Sequence, residues 1–321
     1  MSNERQKILI TGASGFIFSN FIRNLMYEKK QYSIVTVDKL LSPLALNSIY
    51  INKNSFNYIA DITDEHIFSR IVEYEQPDVI IHAAALTSVD ESISSPIDYV
   101  HNNVIGTQIV AKVASKFKVS KFIYISTDEV YGHLESENDA SWSESAPLAP
   151  RNTYSATKAA GEHLVVALGN SEGLNYNIVR MANNYGPRQT ANKFIPRVIQ
   201  SLINGQKIKI YGQGQQIRDW LHVRDSYTAI KAIMERGAPG EAYNIGAGQE
   251  FSNIEVAQLI CKTMQKDLQI EFVADRPGHD FRYSLSSDKT KKLGWEPKIK
   301  FKDGIQNTIE WFLLNKYWIK Q

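Results

Sequence analysis

The stretch "ILITGASGFIFSNFI", residues 8–22, decides the fold. Apolar, largely β-branched residues run up to Thr11, Gly12 and Gly15 interrupt them, and a helix-like segment begins near residue 15. Working outward, the same alternation continues. "KILIT" (7–11) is followed by a helix over about 15–29 and then by "SIVTVD" (33–38) and "FNYIAD" (56–61). A helix near 64–74 precedes "DVIIHAA" (78–84), and one spanning about 97–117 precedes "KFIYIST" (121–127). "YSATKAAGEHLVVAL" (154–168) has helical spacing and leads to "NYNIVRM" (175–181). Continuous apolar strands separated by helices imply a parallel sheet covered on both faces, a doubly wound α/β domain.

Past residue 182 the texture changes. Glycine and proline punctuate shorter elements in "NNYGPRQ", "IYGQGQQ" and "RPGHD", as in a smaller domain of loops and short helices. The expected division is a large domain over 1–182, with returning segments at about 219–246, and a smaller interleaved C-terminal α/β substrate domain over 183–321.

The chain has 321 residues, 43% hydrophobic and 22% charged, the composition of an ordinary globular protein. A net charge of +2, with mixed signs along the chain, gives no case for nucleic acid or a membrane surface as partner. No run of 18 apolar residues and no apolar signal core occurs, so the expectation is a soluble, cytoplasmic protein. The single cysteine, Cys261, excludes an internal disulfide and reads as a core residue. No cluster has metal-ligand spacing.

Gly12 and Gly15 close the first strand and open a helix, where glycine lets the backbone approach a pyrophosphate and free N–H groups face it. Phe16 and Ile17 begin that helix. Phe18 stands where a small residue normally allows close helix–sheet contact, so its ring must push the helix outward or turn away from the sheet. Asp38 ends the second strand, 23 residues after Gly15, and suits the ribose hydroxyls of NAD while repelling the 2′-phosphate of NADP; Lys39 blurs that preference. Asp61, with Ile62, is a candidate neighbour of the adenine, and equally a turn residue capping the third strand. Ala83 and Ala84 are small residues where the fourth strand passes the cofactor. Asn103 is a candidate polar support or a helix-surface residue.

Tyr154 and Lys158 lie four apart on one helical face, and a lysine near a phenol is expected to lower its pKa. The pair joins the cofactor contacts and, with Thr127, the catalytic candidates. Tyr227 and Lys231 repeat the spacing without a serine–threonine strand end beside them and read as structural. In "FIYISTDEVYG" (122–132) a core strand ends on two adjacent carboxylates, Asp128 and Glu129. Desolvated carboxylates are costly without compensation, so water or chemistry is expected there.

Together "TGASGF", "STDEVYG", "YSATK" and "NNYGPRQ…FIP" resemble the extended short-chain dehydrogenase/reductases, whose large domain is a Rossmann fold. With "IYGQGQQIRDWLHVRD" and "RPGHDFRY", the chain is similar over about residues 7–312 to the nucleoside-diphosphate-glucose 4,6-dehydratases. The resemblance implies an NAD-dependent hydro-lyase of deoxysugar biosynthesis, acting on dTDP-glucose or UDP-glucose as a homodimer. It implies that Tyr154 deprotonates the C4 hydroxyl while hydride leaves C4, Glu129 removes the C5 proton, and Asp128 protonates the departing C6 hydroxyl. Hydride then returns to C6. One carboxyl must be protonated while its neighbour is ionised, and close like charges drive their pKa values apart.

Arg218 and Arg276 suit diphosphate or ribose contacts through the planar guanidinium. Asn183 and Lys193 match nucleotide-contacting positions of similar enzymes, and Ser88, Thr127, Asn244 and His279 complete the substrate candidates. Tyr211 flanks the base or fills a core. Where bacterial relatives carry glutamate and histidine, this chain has Leu86 and Ser88. Two alternatives remain open: a nucleotide-sugar 4-epimerase, and a non-catalytic dinucleotide-binding or assembly protein.

Overall fold

The computed structural model describes residues 5–28, 32–41, 43–51, 54–275 and 280–319. Its strands are β1 (Lys7–Thr11), β2 (Ser33–Asp38), β3 (Ser55–Ile59), β4 (Val79–His82), β5 (Lys121–Thr127), β6 (Tyr176–Met181), β7 (Asn183–Tyr185), β8 (Ile208–Tyr211), β9 (Ile217–His222), β10 (Glu241–Ile245), β11 (Glu250–Ser252), β12 (Ile270–Val273) and β13 (Arg282–Tyr283). Seven of them form one parallel sheet in the order β10-β6-β5-β4-β1-β2-β3. The order reverses between β1 and β4, and ligands of such sheets sit in the crevice outside the carboxyl ends at that reversal. The doubly wound Rossmann expectation holds.

Two apolar layers sandwich the sheet because successive strand residues point to opposite faces. Ile8, Ile10 and Ile34 pack on one side with Phe21, Leu25 and Ile230. Leu9, Val35 and Ile80 pack on the other with Phe68, Val110 and Val165. Phe18 is buried in the first layer, its ring 5.4 Å from Phe21 at 42°. The large residue is thus absorbed by aromatic packing on the helix Phe16–Met26.

A smaller sheet of β11, β9, β13 and β7, plus the β8–β12 pair, carries a third core around Tyr185, Trp220, Ile260 and Phe312, with Cys261 buried in it. The halves interleave in both directions. The helix Val223–Arg236 and β10 return to the large sheet, whereas β9 stays with the small one, so the return starts at 223 rather than near 219. Leu44, from the short helix Pro43–Ser48 after β2, joins the small core.

One local reading needs correction. The helix expected over 97–117 is three consecutive segments: Pro96–Tyr99, a π-helical turn Val100–Ile105, and Gly106–Lys116. The turn buries Asn102 and Asn103, polar residues that a regular amphipathic pattern does not encode. The Tyr227–Lys231 pair is structural, as read: the phenol donates to Glu28 Oε1 at 2.5 Å, and the ammonium sits 3.2 Å from Glu235.

Candidate active site

Gly12 takes φ +67°, and a Cβ there would lie 2.7 Å from the Ala84 backbone N and Cα. Only glycine lets β1 turn this tightly against the end of β4. Asp38 is fixed at the rim of the same crevice, its two oxygens accepting the N–H groups of Ser14 at 2.9 Å and Leu40 at 2.8 Å. One cavity runs from Gly12, Gly15, Phe16 and Ile17 past Asp38, Ile62, Ala83 and Ala84 to Thr127, Asp128, Tyr154 and Lys158. The glycine approach, the carboxylate at the ribose position and the small residues beside β4 fit a dinucleotide.

A second cavity continues from Glu129, Asn183 and Lys193 to Ser88, Tyr211 and Arg218. Thr87, Glu129, Asn183 and Lys193 line both, so the two cavities are lobes of one cleft that meet at the carboxylates. The Asn183 Oδ1 is buried there without a hydrogen-bond partner among the described residues.

The acids sit at this junction because β5 ends there. Thr127 caps a single 3₁₀ turn, Asp128–Tyr131, and accepts the Glu129 N–H at 3.4 Å. Asp128 is 2% exposed, and its Oδ1 accepts from the Thr127 hydroxyl at 3.1 Å while Oδ2 has no hydrogen-bond partner among the described residues. Burial, then the adjacent Glu129 charge, pushes Asp128 up to about 8, so it is protonated at neutral pH. Glu129 is also raised by burial, but Asn152, which donates to its Oε2 at 3.3 Å, and Arg218 both favour its ionised form. The two environments therefore differ in the sense that an acid–base pair requires.

Tyr154 and Lys158 share one face of the helix Thr153–Glu172, which Asn152 and Ser155 start with a capping box. The expected depression of the phenol pKa is not found. Burial first, then the charge of Glu129, holds Tyr154 well above its usual value, with the Thr127 hydroxyl pulling the other way. Burial also pushes Lys158 down to about 7, opposed by Glu162. Its ammonium lies 4.2 Å from the Tyr124 ring centroid. Spacing put the two residues on one face, but it carries no information about how dry that face is.

Arg218 is clamped by the carbonyls of Ile217 (2.7 Å), Phe281 (3.2 Å) and Asp280 (2.9 Å), and lies 4.3 Å from the Tyr283 ring centroid. Ser88 lines the cleft, but its hydroxyl caps the helix Val89–Ser94. The Lys193 ammonium donates to the Thr87 carbonyl at 3.0 Å.

Three candidates are not brought to the cleft. Asn244 is fully buried in β10, where it accepts from the Tyr131 hydroxyl at 2.9 Å and donates to the Trp142 carbonyl at 2.9 Å. Asp61 is taken by Lys39 at 2.7 Å and by Thr63, and its neighbours Ala60 and Ile62 line the cavity instead. Asn103, 1% exposed, bridges Leu86 and the Thr157 hydroxyl, and Asn102 is the π-turn residue facing the cofactor lobe. Arg276 and His279 lie outside the described residues.

Sequence reasoning overlooked Asn152, although the spacing Asn152-x-x-Ser155 is a legible cap. It also overlooked Arg197 and Lys209 in the nucleotide lobe and Trp318 in the cofactor lobe, which only tertiary packing brings there. Among the described residues there is no group of acids, histidines and cysteines able to hold a metal, and no helix long and apolar enough to cross a membrane.

Comparison with known proteins agrees with this geometry. A dTDP-glucose 4,6-dehydratase of Shigella flexneri is 40% identical over 98% of this chain and 94% of its own length. The low-salt glycan biosynthesis protein Agl12 of Haloferax volcanii is 40% identical over 95% and 98%. Among solved structures, the dTDP-glucose 4,6-dehydratase DesIV of Streptomyces venezuelae, with NAD and TYD bound, superposes with TM-score 0.92 at 34% identity, covering 97% of this chain and 98% of that one. A UDP-glucose 4-epimerase of Thermotoga maritima reaches 0.90 at 30%, covering 97% and 99%. The family model for the NAD dependent epimerase/dehydratase family matches residues 8–246, and the chain belongs to that family.

Proposed function

We propose that the protein is an NAD-dependent hydro-lyase that converts dTDP-glucose or UDP-glucose to the 4-keto-6-deoxy sugar nucleotide. The observation that carries this reading is the buried carboxyl pair at the meeting of the two lobes, with Asp128 protonated beside Glu129. A 4-epimerase needs no proton relay at C5 and C6, whereas elimination needs one base and one acid on adjacent carbons.

Gly12, Gly15, Phe16, Ile17, Asp38, Ile62, Ala83 and Ala84 would hold the dinucleotide, and Asn183, Lys193 and Arg218 the nucleoside diphosphate. Bound NAD would supply the reversible hydride acceptor, taking hydride from C4 as the ketone forms and giving it to C6 after water loss. Tyr154 takes the C4 hydroxyl proton, with the Thr127 hydroxyl favouring its ionised form and Lys158 on the same helical face. The resulting ketone acidifies C5, Glu129 removes that proton, and Asp128 delivers its own to the leaving C6 hydroxyl as water. Each proton transfer contributes roughly 10²–10⁴ in rate. A homodimer is part of the proposal: consecutive helical turns expose Ile93, Ile97, Val100 and Ile105, and sedimentation showing only monomer would reject it.

The test is mass spectrometry after incubation with each sugar nucleotide. Loss of one water is expected, with no net build-up of NADH. An unchanged mass with an inverted C4 centre would replace the proposal with epimerisation, and no product at all would favour a binding protein. The pH profile offers a second check. Because the Asp128 acid must carry its proton, kcat/KM is expected to fall as pH rises through about 8. A profile that stays level across that value would remove Asp128 as the acid.

A further inference from the structure

Lys158 poses a problem for the proposed oxidation at C4. Its ammonium must be charged to favour the phenolate of Tyr154, yet the residue is 3% exposed and burial pushes it down to about 7. At neutral pH a lysine so placed is charged in only about half of the molecules. Glu162, one helical turn on, favours the charge, but Arg180 of β6 holds that carboxylate at 2.6 Å. His82 of β4 is neutral, pushed down to about 3 by burial and then by Lys158 itself. On the turn after β5, Asp128 carries a proton and Asn152 donates to Glu129 at 3.3 Å. Lys121, at the opposite end of β5, is taken by the Gly237 carbonyl at 3.0 Å. Asp90, Glu91, Asp98, His101, Lys112 and Lys116, on the helical segments packed alongside, are exposed.

What meets the ammonium is an aromatic face. Lys158 Nζ lies 4.2 Å from the ring centroid of Tyr124, a residue of β5 with no solvent exposure, and a ring face attracts a cation through its quadrupole. That ring is fixed in place. Its hydroxyl donates to the Lys158 carbonyl at 3.3 Å and passes the helix at Gly161, where a side chain would collide with it. The His82 ring packs against it at 5.7 Å and is itself held between the hydroxyls of Thr11, at 2.7 Å, and Thr107, at 3.0 Å. Burial, then the charge of Glu162, keeps the Tyr124 phenol far above its usual value, so the ring is neutral.

The geometry points to Tyr124 as a positioning residue whose ring face holds the Lys158 ammonium charged on the Tyr154 side of the helix. Tyr124 lines neither lobe of the cleft, so it acts through Lys158. The catalytic consequence rests on the proposed role of Tyr154 and Lys158 at C4.

The test changes the electrostatics of the ring and keeps its shape. Tyr124→Phe removes the hydroxyl but retains the negative ring face, whereas pentafluorophenylalanine at the same position fills nearly the same space with the face reversed. Full-length protein freed of nucleotide is pulse-labelled with trace acetic anhydride across a pH series. Mass spectrometry of the peptide carrying Lys158 then gives the pH at which its amine becomes reactive. Tyr124→Phe is expected to match the wild type. The fluorinated protein is expected to become reactive about one pH unit lower, the scale of a desolvated cation–π contact. Equal midpoints in these two proteins overturn the inference. Water loss from the sugar nucleotide at neutral pH is expected to slow in the fluorinated protein relative to Tyr124→Phe, by about tenfold at most. A lowered midpoint with an unchanged rate overturns the catalytic role of the contact. Wild-type protein that neither oxidises nor dehydrates the sugar would instead overturn the reading of Tyr154 and Lys158 as the C4 pair, a failure the labelling midpoint does not share.

Discussion

Glu129→Gln stops water loss from the sugar nucleotide while leaving C4 oxidation in place. Glutamine matches glutamate in size and can still accept from Asn152, which donates to Oε2 at 3.3 Å, so the 3₁₀ turn should survive. What is lost is the base for the C5 proton. The expected decrease in turnover is about 10²–10⁴-fold. Oxidation upstream of the block should continue, so reduced nicotinamide absorbance should persist in a single turnover where the wild type shows only a transient. Two further consequences follow from the pair. Removing the Glu129 charge relieves one of the groups raising Tyr154, and it withdraws the repulsion that helps keep Asp128 protonated. The variant's phenol should therefore ionise more easily than in the wild type, which makes surviving C4 oxidation a demanding check. Undiminished water loss in Glu129→Gln would remove that residue from the mechanism.

The second large effect concerns stability. Behind the catalytic turn, Arg180 of β6 grips Glu162 of the Tyr154 helix, with Nη2 to Oε2 at 2.6 Å and Nε to Oε1 at 3.1 Å. Nη1 also donates to the Tyr131 hydroxyl at 2.6 Å, and that hydroxyl donates to Asn244. Both charged side chains are buried, at 8% and 2% exposed. Arg180→Met leaves Glu162 buried without its counter-charge, which costs about 3–5 kcal/mol in comparable buried pairs. Replacing both members, as Arg180→Met/Glu162→Leu, should cost less than the single change, because no orphaned charge remains. Denaturant unfolding with a constant m value measures this. A single variant within about 1 kcal/mol of wild type would mean that water or a shifted proton reaches Glu162 at little cost. The pair also bears on the site. Tyr131 closes the turn that carries Asp128 and Glu129, and Glu162 is the group that opposes the depression of the Lys158 pKa.

The order of elements was legible because it is written locally. β1, β2 and β5 were bounded correctly from apolar runs ending in glycine or polar residues, and the glycine turn at Gly12 was recognisable from its place between strand and helix. Asp128, Glu129, Tyr154 and Lys158 were legible for the same reason: each is fixed by a strand end or a helical period close to it in sequence. The family resemblance then supplied roles that spacing alone does not carry. Asn152 was within reach of the same reasoning, since a cap and its partner lie three residues apart.

What failed was non-local. Asn244 was a substrate candidate, yet it lies within β10, the edge strand beside β6, and its side chain meets Tyr131 and Trp142. Asp61 pairs with a lysine 22 positions earlier, because the parallel pairing of β2 with β3 sets their carboxyl ends side by side, and its bonds to Thr63 make it the turn residue the sequence equally allowed. By itself, then, the sequence determined the order of strands and helices and the local positions of Asp128, Glu129, Tyr154 and Lys158 at a strand end and on one helical face. Tertiary structure alone decided the protonation of those residues, since Asp128, Tyr154 and Lys158 owe their shifted pKa values first to burial. Burial is a property of what packs around a group from distant parts of the chain, and the desolvation it imposes outweighs the neighbouring charges that a local pattern reveals.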